Sequence, residues 1–141
     1  MTRKALIKII GRQKLDDDND KIELTTIGTM EETHDSYIFR YKEEQEPPRA
    51  PIQAKLSISK DEKRVEMMRS GEYGSCLIIE RSKRNLCTYQ TGYGDLLMGI
   101  YGKSIESEIG ENKGIFTFGY DIDVNGALTS QNEVTVEYKL N

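Results

Sequence analysis

The chain has 141 residues, with 20 Lys and Arg against 24 Asp and Glu and a formal net charge of −4. Leu, Ile, Val and Phe make up about 23% of it, just above the ~20% below which a highly charged chain is typically disordered. The length predicts one domain over residues 1–141 with a small core, and the mildly acidic balance argues against a nucleic-acid-binding protein.

Apolar and polar side chains alternate with a period of two along the chain, and no segment of about ten residues keeps the 3.6-residue period of a helix. Because successive side chains of a strand point to opposite faces, this alternation predicts β-strands. In chain order the predicted strands cover residues 4–12, 21–26, 37–41, 52–58, 64–69, 75–80, 86–90, 96–101, 104–108, 116–122 and 133–140.

Turn signals separate these strands at short intervals. Asn125-Gly126 is the strongest of them, since a type I′ turn needs a positive φ at both central residues. All three prolines lie in one longer loop, residues 43–51, which is internal to the predicted domain. Other polar loops of hairpin length cover residues 16–20, 59–63, 81–85 and 111–114.

About ten hairpin-linked strands, with no helix to cover a sheet face, leave two architectures, a closed barrel or a sandwich. Even spacing of the strands favours an up-and-down order over Greek keys. The prediction is therefore an all-β fold, a single antiparallel, up-and-down barrel of about 8–10 strands.

Two motifs contain residue types that are typical of a calcium site or of a catalytic triad. The segment Asp121–Gly126 reads like the start of a calcium loop, but the position that should hold a bidentate Glu is Asn132, and a hairpin explains the same residues. His34-Asp35-Ser36 cannot form a catalytic relay, because neighbours in a chain point in different directions. We expect no metal, no cofactor, no catalytic residue and no enzymatic activity.

The two cysteines, Cys76 and Cys87, have no CxxC spacing, and no cluster of histidines accompanies them. They are predicted to be reduced thiols in a cytoplasmic protein. No run approaches the ~18 apolar residues of a membrane helix. The apolar part of the N-terminal segment is interrupted by Lys8 and is too short for the hydrophobic region of a signal peptide. We expect no membrane association.

Arg69 is the first candidate binding residue. Strand parity places it on the same face as Val65 and Met67. If that face is the inner one, a guanidinium enters the barrel lumen and needs an acceptor; alternatively, the strand has ended and the charge reaches solvent.

Tyrosines outnumber phenylalanines by eight to three. Each tyrosine offers an apolar ring and a hydroxyl that needs a partner. Tyr89 and Tyr93 flank Thr91, and these three residues complete the set of candidate ligand-binding residues, as part of a polar-tipped pocket. The alternative is that the tyrosines only cover the ends of the barrel, where it meets water.

A family resemblance covers nearly the whole chain. The segment from Leu86 to Ile100, with Gly92 in place of a usual proline, resembles the central signature of the YwiB-like bacterial proteins. Arg69-Ser70-Gly71 is similar to that family's R-x-G turn, and Phe118–Gly126 to its closing hairpin. The resemblance implies a calycin-like, lipocalin-like barrel in the cytosol of low-GC Gram-positive bacteria, of no established activity, ligand or catalytic residue.

Two functional hypotheses follow. The first is a non-enzymatic protein that binds a small, partly apolar ligand in the barrel lumen, because the chain has few large apolar residues with which to fill a barrel of this size. The second is a structural or regulatory protein that acts through a protein partner on its outer surface. Whether the protein forms a homo-oligomer is left open.

Overall fold

The computed structural model describes residues 2–44, 46–70, 75–91 and 93–141, without the side chains of Ser75, Tyr89, Gln90 and Thr91. These residues form ten strands: β1 (Thr2–Leu15), β2 (Asp18–Glu32), β3 (Ser36–Glu43), β4 (Ile52–Ser59), β5 (Arg64–Arg69), β6 (Ser75–Glu80), β7 (Arg84–Thr91), β8 (Gly94–Ile109), β9 (Lys113–Val124) and β10 (Ala127–Leu140). No helix in the described ranges is long and apolar enough to cross a membrane.

All ten strands belong to one antiparallel sheet that curls into a nearly closed barrel. Strands adjacent in sequence are hydrogen-bonded neighbours from β1 to β6 and from β7 to β10, and β1 pairs with β10 from Ala5↔Leu140 to Lys14↔Gln131. The predicted all-β, up-and-down barrel of about 8–10 strands is confirmed.

Several strands are longer than predicted, and one predicted division between two strands is absent. Residues 96–101 and 104–108 were expected to be two strands, whereas β8 is a single strand of 16 residues. Its pairing with β9 shifts between Gly102 and Ser104, which leaves Lys103 as the extra residue of a bulge. A bulge interrupts the alternation without ending the strand, which explains the mistaken division.

The inward rows of the strands form the core. Phe39, Phe116 and Phe118 are fully buried, and Phe116 lies 5.7 Å from Phe39 and 6.0 Å from Tyr138 between ring centroids. Such pairs add to the free energy gained by burial, by roughly 0.5–1.5 kcal/mol each. Among the described residues, eighteen buried side chains form one contiguous cluster.

The ring closes at a seam between β6 and β7, which no ladder of backbone hydrogen bonds joins in the described residues. Side chains of β7 bond to the backbone of β6 instead: Asn85 Nδ2 donates to the Ile78 carbonyl at 3.3 Å, and Cys87 Sγ to the Cys76 carbonyl at 2.9 Å. At one end of the seam, the Ser82 N–H donates to the Gly102 carbonyl at 2.8 Å.

The turns alternate between the two ends of the barrel, as they must in an up-and-down order. The Pro-rich end carries the connections after β1, β3, β5, β7 and β9, and the opposite end carries those after β2, β4, β6 and β8. Asn125 and Gly126 have φ values of 54° and 85°, which confirms the predicted turn at the Pro-rich end.

Gly28 marks the place where β3 crosses closely over β2. A Cβ at Gly28 would lie 2.2 Å from the Arg40 carbonyl oxygen, whereas a Cβ at Gly11, on the paired strand β1, would meet nothing within 4 Å. Gly28→Ala must therefore move backbone, and Gly11→Ala need not.

We predict that Gly28→Ala lowers the free energy of unfolding by about 1–3 kcal/mol, because overpacking against backbone forces the strands apart. Gly11→Ala is the matched control and should be neutral or stabilising by up to about 1 kcal/mol, since it restricts the unfolded chain. Urea unfolding followed by circular dichroism measures both. Equal stability of the two variants would contradict the close approach at Gly28.

Candidate functional site

Strand topology brings the four predicted binding residues to the Pro-rich end of the barrel. Arg69 ends β5, Tyr89 and Thr91 lie near the end of β7, and Tyr93 follows in the turn to β8. The side chains of Tyr89 and Thr91 fall outside the described residues. Tyr93 is fully exposed, with a relative accessibility of 104%. Their role in binding stays a prediction.

Arg69 lies on the inward row, as parity predicted, but at its last position. It pairs with Ala54 of β4. Its guanidinium donates a hydrogen bond to the Glu43 carboxylate at 2.5 Å, and 45% of the Arg69 side chain is exposed. Arg69 is thus part of an ion pair at the mouth of the barrel. Burial raises the pKa of the neighbouring Tyr41 to about 12; Glu43 adds to this shift and Arg69 opposes it.

Two cavities lie on the outer surface of the five long strands β1, β2, β8, β9 and β10, and we call this surface the outer wall. Outward side chains of β2, β1, β10, β9 and β8 stand in registered rows across it. Three consecutive rows, going toward the Pro-rich end, are Thr25–Lys8–Glu137–Ile115–Glu108, then Glu23–Ile10–Thr135–Thr117–Glu106, then Lys21–Arg12–Glu133–Gly119–Ser104.

We call the first cavity on this wall the apolar groove; it has a volume of about 580 Å³ and lies near the hairpin of β8 and β9. Leu6, Ile109, Ile115 and Tyr138 supply its apolar lining. Gly114 allows the Tyr138 ring to approach, since a Cβ there would lie 2.7 Å from the ring. The charged lining residues are Lys8, Lys113, Lys139, Glu108 and Glu137, which form no ion pair with one another.

We call the second cavity the polar groove; it has a volume of about 500 Å³ and lies toward the Pro-rich end of the same wall. Its floor is open at Gly119, which has no side chain, beside Ser104 and Asn132. Four cations line it, Arg12, Lys14, Lys21 and Lys103, against the two acids Asp20 and Glu133.

Three of these cations have acidic neighbours. Lys103 lies 3.0 Å from Asp121 and Lys21 lies 2.9 Å from Glu23, whereas the Arg12–Glu133 distance is 3.7 Å. The hydrogen bond from Lys21 is the main reason that the pKa of Glu23 is lowered. Lys14 has no ion-pair partner in the described part of the chain.

The side chains at the centre of the row between the two grooves protrude little into solvent. At its centre Ile10 is only 9% exposed although it faces outward, and Thr135 and Thr117 beside it are half-buried. Its acids, Glu23 and Glu106, stand at the two ends of the row. At the centre of this row the two grooves are therefore separated by the uncharged side chains of Ile10, Thr135 and Thr117.

The acidic residues of the calcium-like motif in β9, Asp121 and Asp123, form ion pairs with Lys103 and Arg84. Arg84 donates to both carboxylate oxygens of Asp123, at 2.8 and 2.6 Å, and this pair lies directly over Gly99, whose missing side chain leaves room for it. Asp121 faces Lys103. Among the described residues no group of three or more His, Cys, Asp and Glu side chains could hold a metal ion.

Both cysteines are free thiols at the seam of the barrel. Burial is the main cause of the raised pKa of the Cys87 thiol, and nearby Cys76 adds to it. A raised pKa reduces the fraction of reactive thiolate, so Cys87 is suited to its hydrogen bond with the Cys76 carbonyl and not to nucleophilic chemistry.

Comparison with known proteins gives a family for this chain. The family model described as a domain of unknown function, DUF1934, matches residues 7–136. The chain belongs to this family. The predicted YwiB-like relationship is thereby confirmed, and the crystal structure of ywiB protein from Bacillus subtilis has the same fold, with a TM-score of 0.83 and 21% identity over 99% of this chain and 93% of that chain. No curated protein matches the chain.

The grooves were not predicted from the sequence, although two of its residues indicate them. Leu6 and Ile115 are apolar residues at outward positions of strands whose inward rows are already apolar. An outward apolar residue on such a strand indicates a covered or binding surface. What the alternation could not supply was the register that places these two residues on one wall.

The Arg84–Asp123 pair predicts a pH dependence of stability. Its hydrogen bonds lower the pKa of Asp123 below the ordinary value of 3.8. A lowered pKa in the folded protein means that the pair stabilises the fold above about pH 4 and that this stabilisation is lost as the pH falls through the lowered pKa.

Asp123→Asn should therefore lower the melting temperature at pH 7 and make it depend less on pH between about pH 2 and 4. Thermal unfolding across this range measures both effects. Asp18→Asn, at an exposed position without an ion pair among the described residues, is the matched control. A wild-type pH profile in Asp123→Asn would contradict the assignment.

Proposed function

We propose that the protein is a non-enzymatic binding protein and that its ligand, a small and partly apolar molecule, occupies the apolar groove on the outer wall. The observation that carries this proposal is the groove itself, a cavity of about 580 Å³ with Leu6 and Ile115 as its outward apolar side chains. Ligand sites in proteins are typically concave and mostly apolar, with a few polar groups at their border.

The outer wall is favoured over the lumen, the site expected from the sequence, because of how the interior is occupied. The inward rows carry the three phenylalanines and Tyr120 and Tyr138, all buried, in one contiguous cluster with the aliphatic residues. A ligand in the lumen would have to displace these side chains, at a cost of several kcal/mol for each buried aromatic residue. A ligand in the apolar groove displaces only water.

The lysines at the border of the groove fit this use. Lys8, Lys113 and Lys139 can lay their aliphatic stems along the apolar lining while their ammonium groups stay in water. Burying Leu6, which is 45% exposed, and the outward side of Ile115 would then be the main gain in free energy on binding.

The absence of enzymatic activity is part of this proposal, and the sequence supports it, since it contains no nucleophile–base motif. A cytoplasmic location is likewise proposed, supported by two free thiols. The closed up-and-down barrel supports the calycin-like, lipocalin-like relationship that the family resemblance implies.

A protein partner on the outer surface is the second candidate, and the free edge of β2 favours it. β2 pairs with β3 only from Thr29 to Glu32, so its residues 18–27 have no strand on that side among the described residues. Ile22 and Ile27 are 73% and 62% exposed on this segment. Unpaired strand edges with exposed apolar side chains are templates for pairing with another chain.

Titration calorimetry with 1-decanol tests the proposed groove. We expect binding to the wild-type protein and about tenfold weaker binding to Leu6→Glu, because a carboxylate on the groove floor must be desolvated by the alkyl chain. Ile22→Glu, the same change at an exposed site on the adjacent strand outside both grooves, should bind like the wild type.

Equal affinity of the two variants would place the alcohol elsewhere and contradict the groove. No binding of 1-decanol to the wild type would leave the protein-partner function as the better candidate. Circular dichroism of both variants checks that they are folded.

A further inference from the structure

The net charge of the residues that line the two grooves is opposite to that of the protein as a whole. Seven cations and four acids line the two grooves, so the grooves carry a net positive charge, whereas the chain carries −4. A positive site on an acidic protein selects anionic ligands by charge complementarity.

The two grooves divide this wall by chemistry. The apolar groove has its lining from Leu6, Ile109, Ile115 and Tyr138, whereas the polar groove is lined by cations, amides, a hydroxyl and the bare backbone of Gly119. An apolar chain gains free energy by burial in the apolar groove, and an anionic group gains hydrogen bonds and ion pairs where donors converge, as in the polar groove.

The distance between the grooves suits one elongated molecule. Lys8 and Arg12 line the two grooves on the same strand, four residues apart, which corresponds to about 13 Å at roughly 3.3 Å per residue. The row that separates them has Ile10, Thr135 and Thr117 at its centre, so a chain can cross without displacing a charged side chain.

We propose that the polar groove is the head-group subsite of the same ligand, and that this ligand is an anionic amphiphile such as an alkyl phosphate. Its chain lies in the apolar groove and crosses Ile10, and its phosphate accepts hydrogen bonds from Arg12 and Lys14. This inference rests on the proposed function, since it assumes that the apolar groove holds the chain.

Of the four cations that line the polar groove, Arg12 and Lys14 are the most available for this role. Lys21 and Lys103 already have acidic partners at 2.9 and 3.0 Å. Arg12 is 3.7 Å from Glu133, and Lys14 has no ion-pair partner among the described residues, so neither must break a short ion pair to meet a phosphate.

The experiment compares three probes by calorimetry: decyl phosphate, 1-decanol and inorganic phosphate. We expect decyl phosphate to bind the wild type about tenfold more tightly than 1-decanol, and the double variant Arg12→Gln/Lys14→Gln to lose this difference while binding 1-decanol as before. Added salt should weaken the binding of decyl phosphate and not that of 1-decanol.

Two control variants locate the head group. Lys42→Gln, an exposed lysine of β3 outside both grooves, should bind all probes like the wild type. Lys8→Gln, at the border of the apolar groove, should leave the preference for decyl phosphate in place. Loss of that preference in Lys8→Gln, but not in the double variant, would put the phosphate in the apolar groove and overturn the inference.

The remaining outcomes separate the inference from the proposed function. Equal affinity of the wild type for decyl phosphate and 1-decanol overturns the head-group subsite and leaves the apolar groove standing. Inorganic phosphate that binds without competing with decyl phosphate also overturns the inference, because the head group would then occupy a different place. Failure of both alkyl probes to bind overturns the proposed function together with the inference.

Discussion

The structure depends on closing a ten-stranded ring at a place where backbone does not pair with backbone. Strand edges that face one another without partners cost free energy and invite pairing with other chains. Here Asn85 and Cys87 reach from β7 to the carbonyls of β6, and the end of the seam is held by the approach of β8 to Glu80. Gly102 makes that approach possible, since a Cβ there would lie 2.2 Å from the Glu80 carbonyl oxygen.

The packing of the interior bears on where a ligand would bind under the proposed function. Because the inward rows carry aromatic rings and branched aliphatic side chains, the inside of the barrel is used for packing, as in a domain core. The outward side chains of the long strands line two cavities. Under the proposed function, the same strands provide stability on their inward face and recognition on their outward face, and substitutions of outward residues alter binding at little cost to the free energy of unfolding.

Much of the fold could be predicted from alternation alone, since inward rows such as Val134, Val136, Tyr138 and Leu140 of β10 are apolar. Parity placed Arg69 on the same face as Val65 and Met67 but left open whether that face is inward; it is, and the row ends at the mouth of the barrel, beside Glu43. The grooves could not be predicted because they join residues from five strands. Leu6 and Ile115 are more than a hundred positions apart, and only the register through β10 makes them neighbours.

The strands follow one another around the ring in chain order, but in the described residues the hydrogen-bonded sheet is continuous between β10 and β1 and interrupted between β6 and β7. β6 and β7 are joined by three residues and do not pair, whereas β1 and β10, at opposite ends of the described chain, pair through ten consecutive residues. The entropy of closing so long a loop must be lost before the hydrogen bonds between β1 and β10 stabilise the fold. Non-local contacts of this kind slow folding. The hairpins can therefore form early and independently, while the barrel exists only once the first and last strands have met.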